Sequence, residues 1–264
     1  MKIHYCWFGG NSKSPLILKC IESWHRYCPG AEILEWNEKN FDIAMSRYTR
    51  EAYEAKKWAF VSDYCRYYVL HKYGGIYLDT DVELIRPLTG LPENFVGFEN
   101  GNFIASGLIR GAPRGDRLCK LMLDDYNNDM FFLPDGRLNT KTVCQRETSL
   151  LLQFGLKQNN RLQQVAGTTV FPTEFFCPLN SNTRILKVTK NTYSIHHYAA
   201  SWCPEWTEYL STTYAKWNKF LPSLWASLIA RILCNLHFMG YKKTISKVVF
   251  RILGRFFFLS KSSH

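Results

Sequence analysis

The chain opens on a short apolar stretch, residues 3 to 7, that reads as a strand ended by Gly9 and Gly10. A helical pattern follows from Pro15, a residue suited to a first turn, to Tyr27, and Cys28-Pro29-Gly30 stops it. Ile33 to Trp36 returns to a strand pattern before a polar loop at 37–42. Strand, helix, strand predicts an α/β sheet of the nucleotide-binding kind. Lys57 to Tyr73 has a helical rhythm whose larger faces are Tyr64, Tyr67, Tyr68 and Leu70, and Gly74 is a natural left-handed stop. Ile76-Tyr77-Leu78 and Val82 to Ile85 then read as strands. Two more strand candidates, 95–98 and 103–109, flank the turn residues Glu99-Asn-Gly-Asn102. Pro113 to Tyr126 and Val143 to Phe154 are helix-like, and Ser194 to Tyr198 is a late strand.

In an open α/β sheet, ligands sit beyond the carboxyl ends of the strands, so Asp79 and Asp81 stand at the rim of such a site. Thr80 lies between them, and only a suitable turn brings the carboxylates together. Converged, they form a hard-oxygen cradle for Mg²⁺ or Mn²⁺ carrying a diphosphate. An acidic pair at a strand end is otherwise an ordinary solvated turn. Asp63 and Arg66, at i and i+3 in the preceding helix, are spaced for a helical ion pair. Trp7 taken alone is a core aromatic, and strand alternation puts His196 and His197 on opposite faces.

Composition adds one strong feature. The net charge is +11, yet no Asp or Glu occurs from Tyr209 onward, where nine Lys and Arg residues leave only +2 for the first 208 positions. Apolar residues recur at 224, 225, 228, 229, 232, 233 and 236, the spacing of one helix face. After Gly240 a second pattern places Ile245, Val248, Val249, Ile252, Leu253 and Phe256 on one stripe and Lys243, Lys247, Arg251 and Arg255 on another. A basic amphipathic tail ending in aromatics suits an anionic membrane surface; docking onto the catalytic domain is the alternative. Nucleic acid is disfavoured because no motif for it accompanies the basic residues. Nine cysteines without metal spacing argue for free thiols in a reducing compartment, and no signal peptide or spanning segment is evident. The expected location is the cytoplasm, peripheral on the cytoplasmic face of the inner membrane.

Asp63, Arg66, Gly74, Gly75, Tyr77, Asp79 and Asp81, with the stretches 3–10 and 194–202, resemble the DXD-containing glycosyltransferase sugar-binding-region family. That family includes fungal α-mannosyltransferases, animal α-galactosyl- and α-N-acetylglucosaminyltransferases and bacterial surface-polysaccharide transferases. It is more distantly similar to the large glucosylating toxins. The resemblance implies a GT-A, Rossmann-like domain over residues 1–208, with the tail at 209–264. It implies Trp7 stacking on a nucleotide base, with Gly9, Gly75 and Tyr77 in the donor site. Ser201 and Trp202 would hold the diphosphate, and Asp63 and Arg66 would contact the donor sugar. Asp81, Asp79 and His197 would hold Mn²⁺ or Mg²⁺; the toxins use an acidic residue where this chain has histidine. The expected reaction is retaining transfer of a hexose or N-acetylhexosamine, from a uridine-linked donor, to a polyprenyl-linked capsule or O-antigen intermediate. A non-catalytic sugar-nucleotide module and a toxin-like transferase acting on a protein are the alternatives. Donor and acceptor selection is expected in Asn100 to Ser106 and Asn139 to Thr148.

Overall fold

The computed structural model describes residues 1–99, 103–104, 107–181, 183–199, 205–218, 220–222, 225–238 and 240. The chain divides into two units, Met1–Asn180 with Ile185–Tyr198, and Ser181–Arg184 with Ala199–His264. The first unit begins with β1 (Lys2–Cys6), α1 (Pro15–Tyr27), β2 (Glu32–Trp36), a 3-10 turn (Ile43–Met45), α2 (Arg47–Glu54) and α3 (Trp58–Tyr73). It continues with β3 (Gly75–Leu78), β4 (Val82–Leu84), β5 (Phe95–Gly97), β6 (Ile109–Ala112), α4 (Arg117–Asn127) and α5 (Val143–Gln153). It closes with β7 (Gln163–Val165), β8 (Thr168–Phe171), α6 (Thr173–Phe176) and β9 (Ser194–His196).

Seven strands form one sheet in the order β2-β1-β3-β6-β5-β8-β7, and β4 pairs with β9 in a second. The β1 strand is parallel to β2 and β3, and β5 to β8, while β6 and β7 run antiparallel to their neighbours. The expected α/β class is borne out, and the mixed sheet is consistent with the GT-A type. Period-two alternation splits the core. Ile3, Tyr5, Ile76 and Leu78 pack with Trp24 of α1 on one side, while Cys6 and Tyr77 pack with α3 on the other.

On β1 His4 is fully buried, and burial lowers its pKa. Its Nδ1 accepts from the Trp36 indole at 3.1 Å, which leaves Nε2–H to donate to the Gly74 carbonyl at 2.9 Å. A neutral imidazole with both nitrogens satisfied ties β1 and β2 to the α3–β3 junction. That junction has room for nothing larger than glycine. Gly74 and Gly75 have φ of +66° and +113°. A Cβ on Gly74 would meet the Arg114 amide nitrogen at 2.7 Å, and one on Gly75 the Lys2 carbonyl oxygen at 2.7 Å.

The strand expected at 103–109 starts instead at Ile109; Ile104 makes a single bridge to Phe98, and Gly107 and Leu108 lie in a turn. The β7–β8 hairpin was not foreseen. It turns on Ala166 and Gly167, both with positive φ, a geometry that glycine usually announces and alanine conceals.

Arg110 of β6 is completely buried between Asp116, at 3.3 Å, and Glu147 of α5, at 3.3 Å, and Tyr67 of α3 donates to Glu147 at 2.8 Å. This network pins α5 against α3 and the sheet. Glu147→Ala should lower stability by about 3 kcal/mol in urea unfolding, because it leaves a buried guanidinium partly uncompensated.

The second unit contains α7 (Glu205–Trp217) and α8, a helix over 225–238. Within α8 the small residues Ala226, Ala230 and Cys234 are buried, whereas Trp225, Leu228 and Leu236 are exposed, as is Phe220. Tyr209 stacks on His237 with centroids 4.4 Å apart. The second tail helix expected after Gly240 lies outside the described residues. Among the described residues, no helix is long and apolar enough to cross a membrane, and the cysteines are free thiols.

Candidate active site

The site begins inside α3. Arg66 and Asp63 are both buried, with Arg66 Nη2 donating to Asp63 Oδ1 at 2.7 Å, so this pair is no surface ornament of the helix. The same guanidinium reaches Asp79 Oδ1 at 3.4 Å through Nη1 and lies 4.5 Å above the Tyr77 ring. One planar cation thus joins the helix carboxylate to the strand-end carboxylate. Tyr77 is only 2% exposed, so it supports Arg66 from beneath and does not present a donor-binding surface. The Val143 amide, at the start of α5, donates to Asp63. Gly107 closes the wall: a Cβ there would sit 3.7 Å from both Arg66 Nη1 and Asp79 Oδ2.

The turn that the two aspartates needed is present. The Asp79 amide donates to the Leu108 carbonyl at 2.8 Å, and the Asp79 carbonyl accepts from the Val82 amide at 3.0 Å, folding Asp79-Thr80-Asp81 back on itself. The β4–β9 ladder then sets Val82 opposite His196. His196 Nε2 lies 3.1 Å from Asp81 Oδ1. Asp79, Asp81 and His196 each offer one ligand atom, all within 4.8 Å of one another.

Electrostatics match this crowding. Burial pushes the Asp63 carboxyl up to about 6, against Arg66 and with help from Asp79. Burial raises Asp79 too, again opposed by Arg66 and reinforced by the Asp81 charge. Burial disfavours the His196 imidazolium, but the charge of Asp81 and a hydrogen bond to it raise that histidine well above its ordinary range. Two carboxylates this close favour a cation between them. The donor set fits a divalent ion: two hard carboxylate oxygens and one imidazole nitrogen suit Mn²⁺ or Mg²⁺.

His197, the histidine expected on the metal side, does not face the aspartates. Its Nε2 lies 2.8 Å from Glu83 Oε2, and Lys19 pairs with that same carboxylate at 2.9 Å from the other oxygen. Alternation along β9 separates the two histidines, and the pairing register gives the Asp81 side to His196. The His197 backbone amide donates to the Asp81 carbonyl at 3.0 Å.

Of the expected donor residues, Trp7 is half-buried beyond β1, its indole donating to the Asn11 carbonyl at 2.7 Å with the Lys13 ammonium 5.3 Å from its ring. The Gly9 amide donates to Glu38 at 2.7 Å, and a Cβ on Gly9 would strike the Trp58 indole at 2.5 Å. The glycines at 9 and 75 are therefore demanded by packing. Ser201 and Trp202 lie outside the described residues. Tyr198 was not anticipated: it has φ of +53°, its ring centroid is 4.1 Å from that of His196, and its hydroxyl is 2.7 Å from Cys177 Sγ. A positive φ at a non-glycine residue is the kind of strain held at functional sites, and the sequence carries no sign of it.

Residues 15–100 match the family described as the glycosyltransferase sugar-binding region containing a DXD motif. The chain carries that DXD region. Human alpha-1,4-N-acetylglucosaminyltransferase is 34% identical over 92 residues, which cover 33% of this chain and 26% of that protein. The chain thus matches about a quarter of the length of this relative. Among solved structures, the PaToxG glycosyltransferase superposes with a TM-score of 0.44 and 17% identity, over 58% of this chain and 68% of that one. Both sequence matches are to glycosyltransferases, in agreement over this region with the resemblance expected from the motifs. The DXD region contains α3, its Arg66 and both aspartates of the turn.

Proposed function

We propose that the chain is a metal-dependent, retaining glycosyltransferase that moves a hexose or N-acetylhexosamine from a nucleotide-diphosphate donor, uridine-linked, to a hydroxyl. The observation that carries this reading is the Asp79, Asp81 and His196 cluster, converged within 4.8 Å and braced by Arg66. These three residues would hold Mn²⁺ or Mg²⁺, which when bound neutralises charge growing on the departing diphosphate. The chain's own residues do the rest. Arg66 fixes the orientation of Asp63 and Asp79, and Asp63 accepts from donor-sugar hydroxyls. The closed α3–β3 junction holds the aspartate turn in place before substrate arrives, so little reorganisation accompanies reaction.

The test is thermal melting with UDP, GDP and CMP, each with Mn²⁺ or with EDTA. A ligand at a hundredfold excess over its Kd adds about 2.7 kcal/mol, a visible shift. Stabilisation by UDP that needs Mn²⁺ is the expected result. No shift with any nucleotide would sink the transferase reading.

The acceptor we propose is a polyprenyl-linked capsule or O-antigen intermediate, met at the cytoplasmic face of the inner membrane. The support lies in the second unit. There α8 buries its small residues and leaves Trp225, Leu228 and Leu236 exposed, and the chain from Tyr209 onward carries nine basic and no acidic residues. Near an anionic surface each Lys or Arg contributes about 1 kcal/mol. The protein should co-sediment with vesicles containing phosphatidylglycerol and lose that binding when residues 223 to 264 are removed or salt is raised. Equal binding to neutral vesicles would remove the electrostatic part of the proposal.

A further inference from the structure

Glu99 stands apart from the carboxylates assigned so far. It follows β5 on a stretch held from two sides: the Phe98 amide donates to the Phe171 carbonyl at 2.9 Å, and the Glu99 amide donates to the Phe103 carbonyl at 2.8 Å. Ile104, bridged to Phe98, is fixed in turn by α5, where Thr148 Oγ1 accepts from the Ile104 amide at 3.1 Å. Backbone order here is therefore set by the sheet and by α5, not by the Glu99 side chain.

That side chain has a weak partner. Among the described residues, the hydrogen-bond donor to the Glu99 carboxylate is the Cys144 thiol, with Sγ 3.3 Å from Oε2. Burial and the Glu99 charge both raise the Cys144 pKa, so the group is a neutral S–H and donates. Two other partly buried carboxylates of this unit are matched by cations as well as neutral donors: Glu35 by Lys13, Tyr5 and Asn37, and Glu83 by Lys19 and His197. A carboxylate with two oxygens that, among the described residues, accepts from one thiol has acceptor capacity left over.

Its position explains what that capacity serves. Cys144 follows Val143, whose amide binds Asp63 and whose side chain approaches Gly107 beside Arg66 and Asp79. From the other side, the Tyr198 phenol lies within electrostatic reach of Glu99 and Cys144, and its ring abuts His196. Glu99 is thus linked to the aspartate cluster through the start of α5, Cys144 touching Glu99 while the adjacent Val143 approaches Gly107 beside Arg66 and Asp79.

We infer that the Glu99 carboxylate binds a sugar hydroxyl and so positions a substrate for transfer. The inference rests on the glycosyl-transfer reading. The bound hydroxyl belongs either to the acceptor or to the donor sugar, and the experiment separates the two. Glu99→Gln and Glu99→Ala are compared with wild type in initial-rate kinetics varying UDP-sugar and acceptor in turn, alongside melting shifts with UDP–Mn²⁺ and with UDP-sugar–Mn²⁺. The bare-nucleotide shift should be unchanged in both variants. The KM for one sugar substrate should rise about 10- to 100-fold, the size of a hydrogen bond to a charged group. A rise confined to the acceptor assigns the acceptor hydroxyl; a rise for the donor, with a diminished UDP-sugar shift, assigns the donor. Variants that retain the UDP–Mn²⁺ shift and wild-type KM for both sugars overturn the inference while leaving the transferase reading intact. A wild-type protein that shows no UDP–Mn²⁺ shift overturns the transferase reading itself.

Discussion

Asp81→Ala is expected to abolish the Mn²⁺-dependent stabilisation by UDP and to lower kcat/KM by about two to three orders of magnitude, in line with loss of one preorganised electrostatic group. The variant should still fold. Asp81 sits in a turn whose backbone bonds are made by Asp79 and Val82, and removing its carboxylate also removes a like charge beside Asp79. The histidines supply a sharper comparison. His196→Ala should reproduce the loss of metal-dependent melting, whereas His197→Ala should keep it, because His197 Nε2 is engaged 2.8 Å from Glu83. Isothermal titration of Mn²⁺ in the presence of UDP checks both variants. If His197→Ala lost the ion and His196→Ala kept it, the assignment of the imidazole ligand would be reversed.

The reason that pair could not be assigned from sequence is instructive. Period-two alternation separates His196 from His197, but which face meets Asp81 depends on the register between β4 and β9, strands separated by more than a hundred positions. Local signals did well where the cause was local. Pro15, with Ser14 accepting from the Ile17 amide, fixes the start of α1, and Gly74 fixes the end of α3. The aspartate turn, the Asp63–Arg66 pair and the glycine break were legible for the same reason. The role of Tyr77 was not, since its burial beneath Arg66 is a packing outcome. Glu99 reads in the sequence as the first residue of a turn, and only the docking of α5 brings Cys144 against it. The β7–β8 hairpin escaped notice because Ala166 adopts a positive φ that its residue type disfavours.

Arg66→Met should be the most destabilising single change in the site, costing about 3–5 kcal/mol, because it removes the counter-charge from the buried Asp63 and the partly exposed Asp79 at once. Arg66→Lys should rescue little. A lysine ammonium has no planar fork with which to span Asp63 and Asp79, and it does not stack on the Tyr77 ring as a guanidinium does. The deficit should also depend on pH, and the sign follows from Asp63. Its carboxyl is raised from 3.8 to about 6 even with Arg66 present. The folded state therefore binds a proton more readily than the unfolded state in that window, and stability falls as pH rises through it. Without Arg66 the folded-state pKa rises further and the window extends upward. Urea unfolding of Arg66→Met should accordingly show a larger loss relative to wild type at pH 7 than at pH 5. Adding Asp63→Asn should recover stability at pH 7 without restoring transfer, since the amide relieves the uncompensated charge but cannot replace the carboxylate in the role proposed for it toward the donor sugar. A double variant with restored transfer would show that the Asp63–Arg66 pair serves the fold alone.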